Sequence, residues 1–491
     1  MMSSINLKIF LIILTISFVN VMELASKQVS GEEKLQSSPN TQFGNLYVTK
    51  WADDRQSAFS FSFDDGFISQ YNNVKNIFDQ YGFNATFYII PPFLNDSLPG
   101  IWRYGTWPMF EMMQSEGHEL GSHTLTHPHL KQMAAGDTST QNTIIYELYH
   151  SRRMIEERIS STKCITFAYP FGEHNDLIDS LASLYYQSAR ALGLQPNNWT
   201  LNSMDWFRLN SSEVHFDEPR NSLDDDLEEL YDFINWIEGS IDSESWAIQL
   251  AHEVVPFSEL EDLLLQGSYY PISNEWLELL CGWLKTNYDE NKIWIETVAN
   301  ITRYIKQRDN YTYQVISQSS AEIIIELTDS LDDEIYNYPL SAYINIPINW
   351  THVLIEQGTQ SEVLQSFVVD TSNFILAAVI PDGGLINLTK FEPNVVAYNE
   401  NPNPQNFILY QNYPNPFNPS TTISYELLFG SYVSLQVYDV LGNKINSLVD
   451  EYKSAGKYSV NFNAGNLASG VYNYVLSTAN QFISKKMLLV K

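Results

Sequence analysis

Four residues in two short segments have types and spacing that suit a hydrolytic metal centre. Asp64 and Asp65 precede Gly66 at the end of the run 58–63, and His123-Thr-Leu-Thr-His127 follows about sixty residues later. Within one helical turn, side chains four residues apart point the same way, so both imidazoles could share an ion with a carboxylate. Two histidines and one carboxylate leave coordination positions open for water and substrate, as catalytic metal sites do.

Each pair also has a plainer explanation. Asp-Asp-Gly alone is often a turn, because Asp accepts local backbone hydrogen bonds and Gly tolerates positive φ. Two histidines four residues apart are often a helix or loop pair that binds nothing. The joint pattern favours the metal centre, because the aspartates end a strand-like run and the histidines follow another short apolar segment, 118–122. The ends of strands are where α/β enzymes place catalytic groups.

Strand-like and helix-like segments alternate between residues 45 and 308, and they must position these side chains. The predicted strands are 58–63, 84–90, 118–122, 164–169, 187–192, 246–251 and 293–298. An amphipathic helix is predicted over 68–81. Such alternation predicts a parallel, barrel-like α/β domain. Asp224-Asp-Asp226 could be mistaken for a calcium cluster, but apolar residues at helical spacing after Ser222 favour a helix with a solvated acidic face.

The character of the chain changes near residue 308. Segment 309–398 has short β-rich runs typical of a small β-sandwich, for which a spacer role is favoured over carbohydrate binding. An Asn-Pro-rich linker is predicted over 399–406, and a compact antiparallel β-domain over 407–491. Two small all-β domains are thus expected to follow the α/β domain.

The first residues predict export. Residues 1–26 are interpreted as a signal peptide, with an uncleaved anchor as the alternative, and 27–44 as a polar linker. No later segment is long and apolar enough to span a membrane. The formal net charge of −31 over 491 residues argues against nucleic acid or anionic membrane as a partner. Cys164 and Cys281 are expected to be buried small hydrophobes, and the sequence leaves open a single disulfide between them.

Five ordered motifs in residues 45–306 resemble the polysaccharide deacetylases of carbohydrate esterase family 4. The segments 62–66 and 123–127 match the first two motifs, Tyr169-Pro-Phe-Gly172 looks like the third, Asp205-Trp206 like the fourth and Leu250-Ala-His252 like the fifth. The resemblance implies a distorted (β/α) barrel with its site at the carboxyl ends of the strands.

The resemblance also implies a mechanism. Asp65, His123 and His127 are expected to hold a divalent metal, with Zn²⁺ favoured and Co²⁺, Mn²⁺ or Ni²⁺ as alternatives. Asp64 is expected to be the general base and His252 the general acid in removing acetyl groups from a polysaccharide.

Further residues are predicted to bind substrate or support the catalytic groups. Tyr169 and Phe171 are expected to wall the acetyl pocket, with backbone N–H groups near Phe171 and Gly172 stabilising the oxyanion. Trp206 is expected to form an apolar face for the sugar, and Asp205 to orient the catalytic histidine. Core packing is the alternative for Tyr169, Phe171 and Trp206.

The third motif departs from the family pattern. The family usually has an arginine where this chain has Ala168, and that arginine orients and tunes the base. Arg190, at the end of the next predicted strand, is the candidate to supply the missing charge. This departure also supports an alternative, a catalytically weak or silent glycan-binding protein of the same fold. A hydrolase of small amides is a third possibility, which predicted export disfavours.

The C-terminal segment resembles a second known family. Its signature comprises Asn412-Tyr-Pro-Asn-Pro-Phe-Asn-Pro, Val437-Tyr-Asp-Val-Leu-Gly and the basic terminal segment 485–491. These match the C-terminal sorting domain of the type IX secretion system. The match implies passage through that machinery, across the inner and outer membranes, to release or attachment at the cell surface.

Overall fold

The fold is that of a computed structural model. It describes residues 43–96, 103–159, 163–198, 204–213, 223–269, 271–392, 407–427, 431–438, 444–453, 456–478 and 482–490. The predicted signal peptide, nearly all of the linker after it and the linker at 399–406 lie outside these ranges.

Parallel strands form the barrel that the sequence predicts. In the first 295 residues the strands are β1 (Leu46–Val48), β2 (Ser57–Asp65), β3 (Thr86–Ile89), β4 (Glu119–Ser122), β5 (Thr166–Ala168), β6 (Ser188–Leu192), β7 (Leu209–Glu213), β8 (Trp246–Ala251), β9 (Val254–Val255), β10 (Ile272–Ser273) and β11 (Ile293–Ile295). Strands β2 to β8 pair in order, and β8 also pairs with β2, which closes a seven-stranded ring. Strand β11 adds to the outside of β2.

One strand of the ring was missed. The seven predicted strands correspond to β2–β6, β8 and β11, whereas β7 lies in a segment for which the sequence predicts no strand. Its sequence, Leu-Asn-Ser-Ser-Glu, has one apolar residue in five, so hydrophobic periodicity carries little signal there.

Helices cover the outside of the ring. They are α1 (Asn76–Tyr81), α2 (Trp107–Ser115), α3 (Ile144–Arg158), α4 (Asp176–Ala182), α5 (Leu223–Asp242), α6 (Phe257–Leu265), α7 (Asn274–Asp289) and α8 (Val298–Asn310). A π-helical segment, Gln70–Lys75, runs directly into α1, so the predicted helix over 68–81 is confirmed. The predicted acidic helix is α5, although Ser222 lies outside the described residues.

Strand β2 shows how its alternating sequence separates the two sides of the barrel wall. Phe59, Phe61 and Phe63 join the large apolar core beneath the helices, and the ring of Phe61 lies 4.6 Å from that of Phe78. Because side chains alternate along a strand, Ser60, Ser62 and Asp64 face the opposite side, the barrel interior.

Helix α8 closes the amino-terminal end of the barrel. Its N-cap, Thr297, accepts a hydrogen bond from the Asn300 N–H. The backbone N–H of Val298 donates to the Thr86 hydroxyl, and that of Ala299 donates to the buried Glu119 carboxylate. Since this end is filled, only the carboxyl ends of the strands are left to form a reaction site.

The buried His118 predicts a pH-dependent stability of the barrel. Its side chain is 4% exposed, and the Ala85 N–H donates to its Nδ1. Burial lowers the pKa of His118 from 6.5 to about 4. Between these values the unfolded chain binds a proton that the folded chain does not, so stability is lost as pH falls, by up to about 3 kcal/mol.

Replacing His118 with Gln keeps an acceptor and removes the titration. We expect the variant to lose less stability than wild type when pH falls from 7 to 4.5, as measured by hydrogen exchange of peptides from β3 and β4. Equal losses in both proteins would show that His118 is not responsible.

A β-sandwich follows the barrel. Its strands are β12 (Thr312–Gln318), β13 (Glu322–Thr328), β14 (Leu340–Ile346), β15 (His352–Gln357), β16 (Gln360–Gln365), β17 (Phe367–Val369), β18 (Ser372–Val379) and β19 (Ile386–Lys390). One sheet has the order β12-β13-β19-β15-β16 and the other β1-β14-β18-β17. Apolar side chains from both sheets form the core between them, including Ile325, Ile344 and Ile375.

The amino-terminal boundary of the barrel needs correction. Residues 46–48 were assigned to the barrel, but they form β1, which pairs antiparallel with β14 of the sandwich. Leu46 is buried in the sandwich core, which explains why this strand leaves the barrel. From residue 46 onward, the chain therefore contributes a strand to the sandwich, forms the barrel, and then returns to complete the sandwich.

The last described segments form two antiparallel sheets. The strands are β20 (Phe407–Leu409), β21 (Ser420–Leu427), β22 (Ser431–Tyr438), β23 (Lys444–Lys453), β24 (Gly456–Asn463), β25 (Gly470–Ser477) and β26 (Phe482–Leu489). They share one apolar core, as the predicted compact β-domain requires. Across the described ranges, none of the helices has the length and apolar character of a membrane span. Cys164 and Cys281 are both buried and both free, so the disulfide is not formed.

Candidate metal centre and active site

The two aspartates lie where β2 ends inside the barrel mouth. Asp64 is 3% exposed, and Asp65 adopts a left-handed backbone with φ 75°, followed by Gly66 at φ 81°. A positive φ is unfavourable for a non-glycine residue and is often found at functional sites. This turn directs consecutive carboxylates into the same pocket, although neighbours on a regular strand would face opposite sides.

The two histidines converge, but without a helix. Residues 123–127 form a loop after β4, in which Thr124 and His127 have positive φ. The His127 N–H donates to the Thr124 hydroxyl, which closes the loop. The imidazole centroids are 4.7 Å apart. The predicted helical turn is therefore wrong, because a tight loop brings the side chains together instead.

The buried Glu147 on α3 holds this loop. Its carboxylate accepts hydrogen bonds from both the backbone N–H and the hydroxyl of Thr126, one residue before His127. Glu147 is only 2% exposed. The loop is therefore fixed by a helix that packs behind it.

Asp65, His123 and His127 fit a divalent cation. One ligand atom from each lies within 4.8 Å of the others, and Asp65 Oδ1 is 3.7 Å from His123 Nε2 and 3.8 Å from His127 Nε2. His123 Nδ1 lies 2.9 Å from the Ala168 carbonyl, which accepts the Nδ1 proton and leaves Nε2 for a metal.

The electrostatics of these three residues also favour binding of a cation. Burial raises the pKa of Asp65 to about 8, with further contributions from the nearby Asp64 and Glu253 carboxylates. Burial lowers the pKa of both His123 and His127 to about 3, so both imidazoles are neutral at physiological pH. Neutral imidazoles and closely spaced carboxylates favour a bound cation, because the positive charge reduces the repulsion between the carboxylates.

Arg190 meets Asp64 inside the barrel. The Arg190 guanidinium, 2% exposed, donates through Nη2 to Asp64 Oδ2 and through Nη1 to the Ser211 hydroxyl. Arg190 is the register partner of Ala168 across β5 and β6, so the two side chains lie on the same face. Ala168 is small, and the positive charge comes from the neighbouring strand.

His252 follows β8 and faces the same pocket. Burial lowers the pKa of His252 to about 4. Its Nδ1 is 3.8 Å from Oε1 of Glu213, at the end of β7, and both atoms lack a hydrogen-bond partner among the described residues. Gln70 Nε2 donates to the main-chain carbonyls of both Asp64 and His252, which fixes their relative position.

The fourth predicted motif is elsewhere. Asp205 lies on the surface with its carboxylate 3.7 Å from Arg208, and Trp206 packs under the Lys306 ammonium of α8, at the closed end of the barrel. Both predictions are wrong because residues 205–206 precede β7 and the pocket lies beyond its end. The carboxylate that approaches His252 belongs to Glu213.

The third motif forms part of the pocket rim. Phe171, 52% exposed, has φ 58° and its ring lies 4.6 Å from that of His127 and 4.1 Å from that of His129. Tyr169 is buried, and its hydroxyl donates to the Phe207 carbonyl. The Gly172 N–H donates to the Tyr169 carbonyl and is therefore already engaged, whereas the oxyanion role of the Phe171 N–H stays a prediction.

Three polar residues of the site were missed: Glu213, Gln70 and Glu253. Glu213 ends the missed strand, Gln70 lies within a helix that was predicted only for its apolar face, and Glu253 directly follows the fifth motif. Glu253 is 2% exposed and pairs with Arg103, 3.3 Å away. Of these three residues, only Glu253 could have been identified from the sequence, because it directly follows the fifth motif.

Two family models match the chain. The model described as polysaccharide deacetylase matches residues 52–189. The model described as secretion system C-terminal sorting domain matches residues 411–491. The sorting domain marks the protein as exported, and as either released or held at the cell surface.

One curated relative and several solved structures are similar. A gellan lyase from Bacillus sp is 25% identical over 355 residues, which are 71% of this chain but only 13% of that protein. The Xyl-CE4 domain of a multidomain xylanase from the hindgut metagenome of Trinervitermes trinervoides is 18% identical, with a TM-score of 0.33, over 50% of this chain and 89% of that one.

A polysaccharide deacetylase from Bacillus cereus is 15% identical with a TM-score of 0.31, over 49% of this chain and 91% of that one. On the two family-model matches, residues 52–189 belong to a polysaccharide deacetylase domain, from a family of hydrolases that act on carbon–nitrogen bonds, and residues 411–491 to a secretion-system C-terminal sorting domain.

Proposed function

We propose that this exported protein is a metal-dependent deacetylase that removes N- or O-acetyl groups from a polysaccharide. The observation that carries the proposal is the convergence of Asp65, His123 and His127 beside the Asp64–Arg190 pair. A Zn²⁺, Co²⁺, Mn²⁺ or Ni²⁺ ion held by these three residues would lower the pKa of a bound water, to roughly 7 for zinc, and polarise the acetyl carbonyl.

The side chains around the site divide the proton transfers. Asp64 takes the proton of the attacking water, and the hydrogen bond from Arg190 orients its carboxylate. On the other side of the pocket, His252 donates a proton to the sugar nitrogen or oxygen as the acetyl group leaves. Gln70 holds the backbones of base and acid at a constant separation.

Acetate release provides the direct test. The protein is incubated with acetylated chitin oligomers, peptidoglycan and acetylated xylan, and free acetate is measured alongside the metal content of the protein. Release from at least one polymer supports the proposal. Glycan binding without acetate release would favour the silent binding protein, which the absence of an arginine at residue 168 first suggested.

Replacing Glu213 with Gln is expected to impair the acid step. The Glu213 carboxylate lies 3.8 Å from His252 Nδ1, and in its charged form it favours the protonated imidazole. Burial raises the pKa of Glu213 to about 7, with a further contribution from the Asp64 carboxylate. The variant should lower kcat by about 10-fold and move the alkaline limb of the pH–rate profile to lower pH. An unchanged profile would show that Glu213 does not support His252.

A further inference from the structure

A second pocket lies far from the metal centre, between barrel and sandwich. Its volume is about 310 Å³. Asp53, Trp294 and Glu296 line it from the barrel side, and Ser341 and Ala378 from the sandwich sheet. Because β11 and the turn before β2 approach the amino-terminal end of the barrel, this pocket is at the opposite end from the proposed reaction site.

The pocket continues into an aromatic row on the sandwich. Ser341 and Ala378 are register partners, and Tyr343, two residues after Ser341, lies on the same outer face of the sheet. Tyr47 of β1 stands directly opposite Tyr343, and the Phe367 ring lies 5.8 Å from that of Tyr343. Tyr47 and Phe367 are 36% and 39% exposed. The face therefore presents a row of rings that starts beside the pocket.

The chemistry of the lining selects the ligand class. The Glu296 carboxylate is held by the Thr297 N–H and the Tyr338 hydroxyl, and the Asp53 N–H donates to the Ser341 hydroxyl. The Trp294 ring lies 6.1 Å from that of Tyr338. Carboxylates accept hydrogen bonds from hydroxyl and ammonium groups, while aromatic rings pack on the C–H faces of sugars.

The lining contains two carboxylates, and none of its described residues is Lys or Arg. The carboxylates belong to Asp53 and Glu296, and the Arg55 guanidinium behind the lining lies 3.9 Å from the Asp53 carboxylate. An anionic sugar such as a uronate would be repelled, and a neutral or amino sugar would not. The volume is at the lower end of the range of ligand pockets, which fits a single ring rather than a long segment.

We propose that the junction pocket binds one saccharide unit, neutral or carrying a free amino group, with the polymer continuing over the Tyr47–Tyr343–Phe367 row. Only the amino-sugar version rests on the proposed function, because N-deacetylation produces such a unit. A second contact of this kind holds the enzyme on its polymer and raises the effective concentration of acetyl groups at the metal centre.

The test uses the full chain with His123→Ala, so that no substrate is consumed. Ala378→Trp fills the pocket from an exposed position of β18, and Asp53→Asn removes one charge without filling it. Ala321→Trp, also exposed and on the sandwich, is the matched control. Binding of chitohexaose, its N-acetylated form and cellohexaose is measured by calorimetry.

We expect Ala378→Trp to weaken binding about 10-fold or more and Ala321→Trp to leave it unchanged. Asp53→Asn should weaken binding of the amino oligomer more than that of cellohexaose, whereas equal effects would indicate a neutral sugar. With His123 restored, Ala378→Trp should slow acetate release from insoluble polymer but not from a small soluble acetylated sugar.

The proposal is overturned if no oligomer binds, or if Ala378→Trp and Asp53→Asn both bind like the Ala321→Trp control. These outcomes are separate from those of the deacetylase test. Wild-type protein that releases no acetate, yet loses oligomer binding through Ala378→Trp, would refute the proposed function and support this second site.

Discussion

His123→Ala should lower kcat/KM for acetate release by on the order of 10³-fold or more, the largest effect expected of any single change in this chain. His123 is the most buried of the three candidate ligands, and its Nε2 is 3.7 Å from both Asp64 Oδ2 and Asp65 Oδ1. Removing the imidazole leaves two ligands and an enlarged pocket. The variant should also lose its bound metal, which elemental analysis of the purified protein measures.

His129→Ala is the matched control. His129 belongs to the same loop region, but its side chain is 47% exposed and pairs with Glu173 rather than with the metal residues. This variant should keep its metal and most of its activity. A chelator should abolish acetate release by wild type and by the control, and added Zn²⁺, Co²⁺, Mn²⁺ or Ni²⁺ should restore the activity of both. A His123→Ala protein that retains metal and activity would refute the assigned ligand set.

Arg190→Ala should lower kcat by on the order of 10²-fold, because Asp64 then loses its buried ion-pair partner. The loss should appear in single-turnover acetate release, while the bound metal is retained. Arg208→Ala, which removes a surface arginine that pairs with Asp176 and Asp179, should leave kcat unchanged.

The double variant Ala168→Arg with Arg190→Ala tests the position of the charge. The two residues are register partners on neighbouring strands, so the exchange moves the guanidinium by one strand and keeps the total side-chain volume. It should recover part of the activity that Arg190→Ala loses. If it recovers none while the protein remains folded and metal-loaded, the guanidinium must approach Asp64 from β6 to be effective.

Much of the fold could be predicted from local sequence. Residues 58–63 alternate large aromatic with small residues, and this pattern alone separates the core face of β2 from the barrel interior. Strand β7 could not be predicted, because polar side chains on both of its faces give no periodic hydrophobic signal. Its register depends on pairing with β6 and β8. Strand β1 could not be predicted either, because three residues are too short to show a periodic pattern and its partner strand lies about three hundred residues later.

The sequence alone determined which residue types carry the chemistry: the paired aspartates, the two histidines four apart, the late histidine and the two family signatures. Tertiary structure alone decided that a loop rather than a helix joins His123 to His127, that Arg190 reaches Asp64, and that Glu213 replaces Asp205 beside His252. The reason is physical: motif spacing records neighbours along the chain, whereas charge partners in a barrel are set by strand register and by which end of a strand a residue occupies.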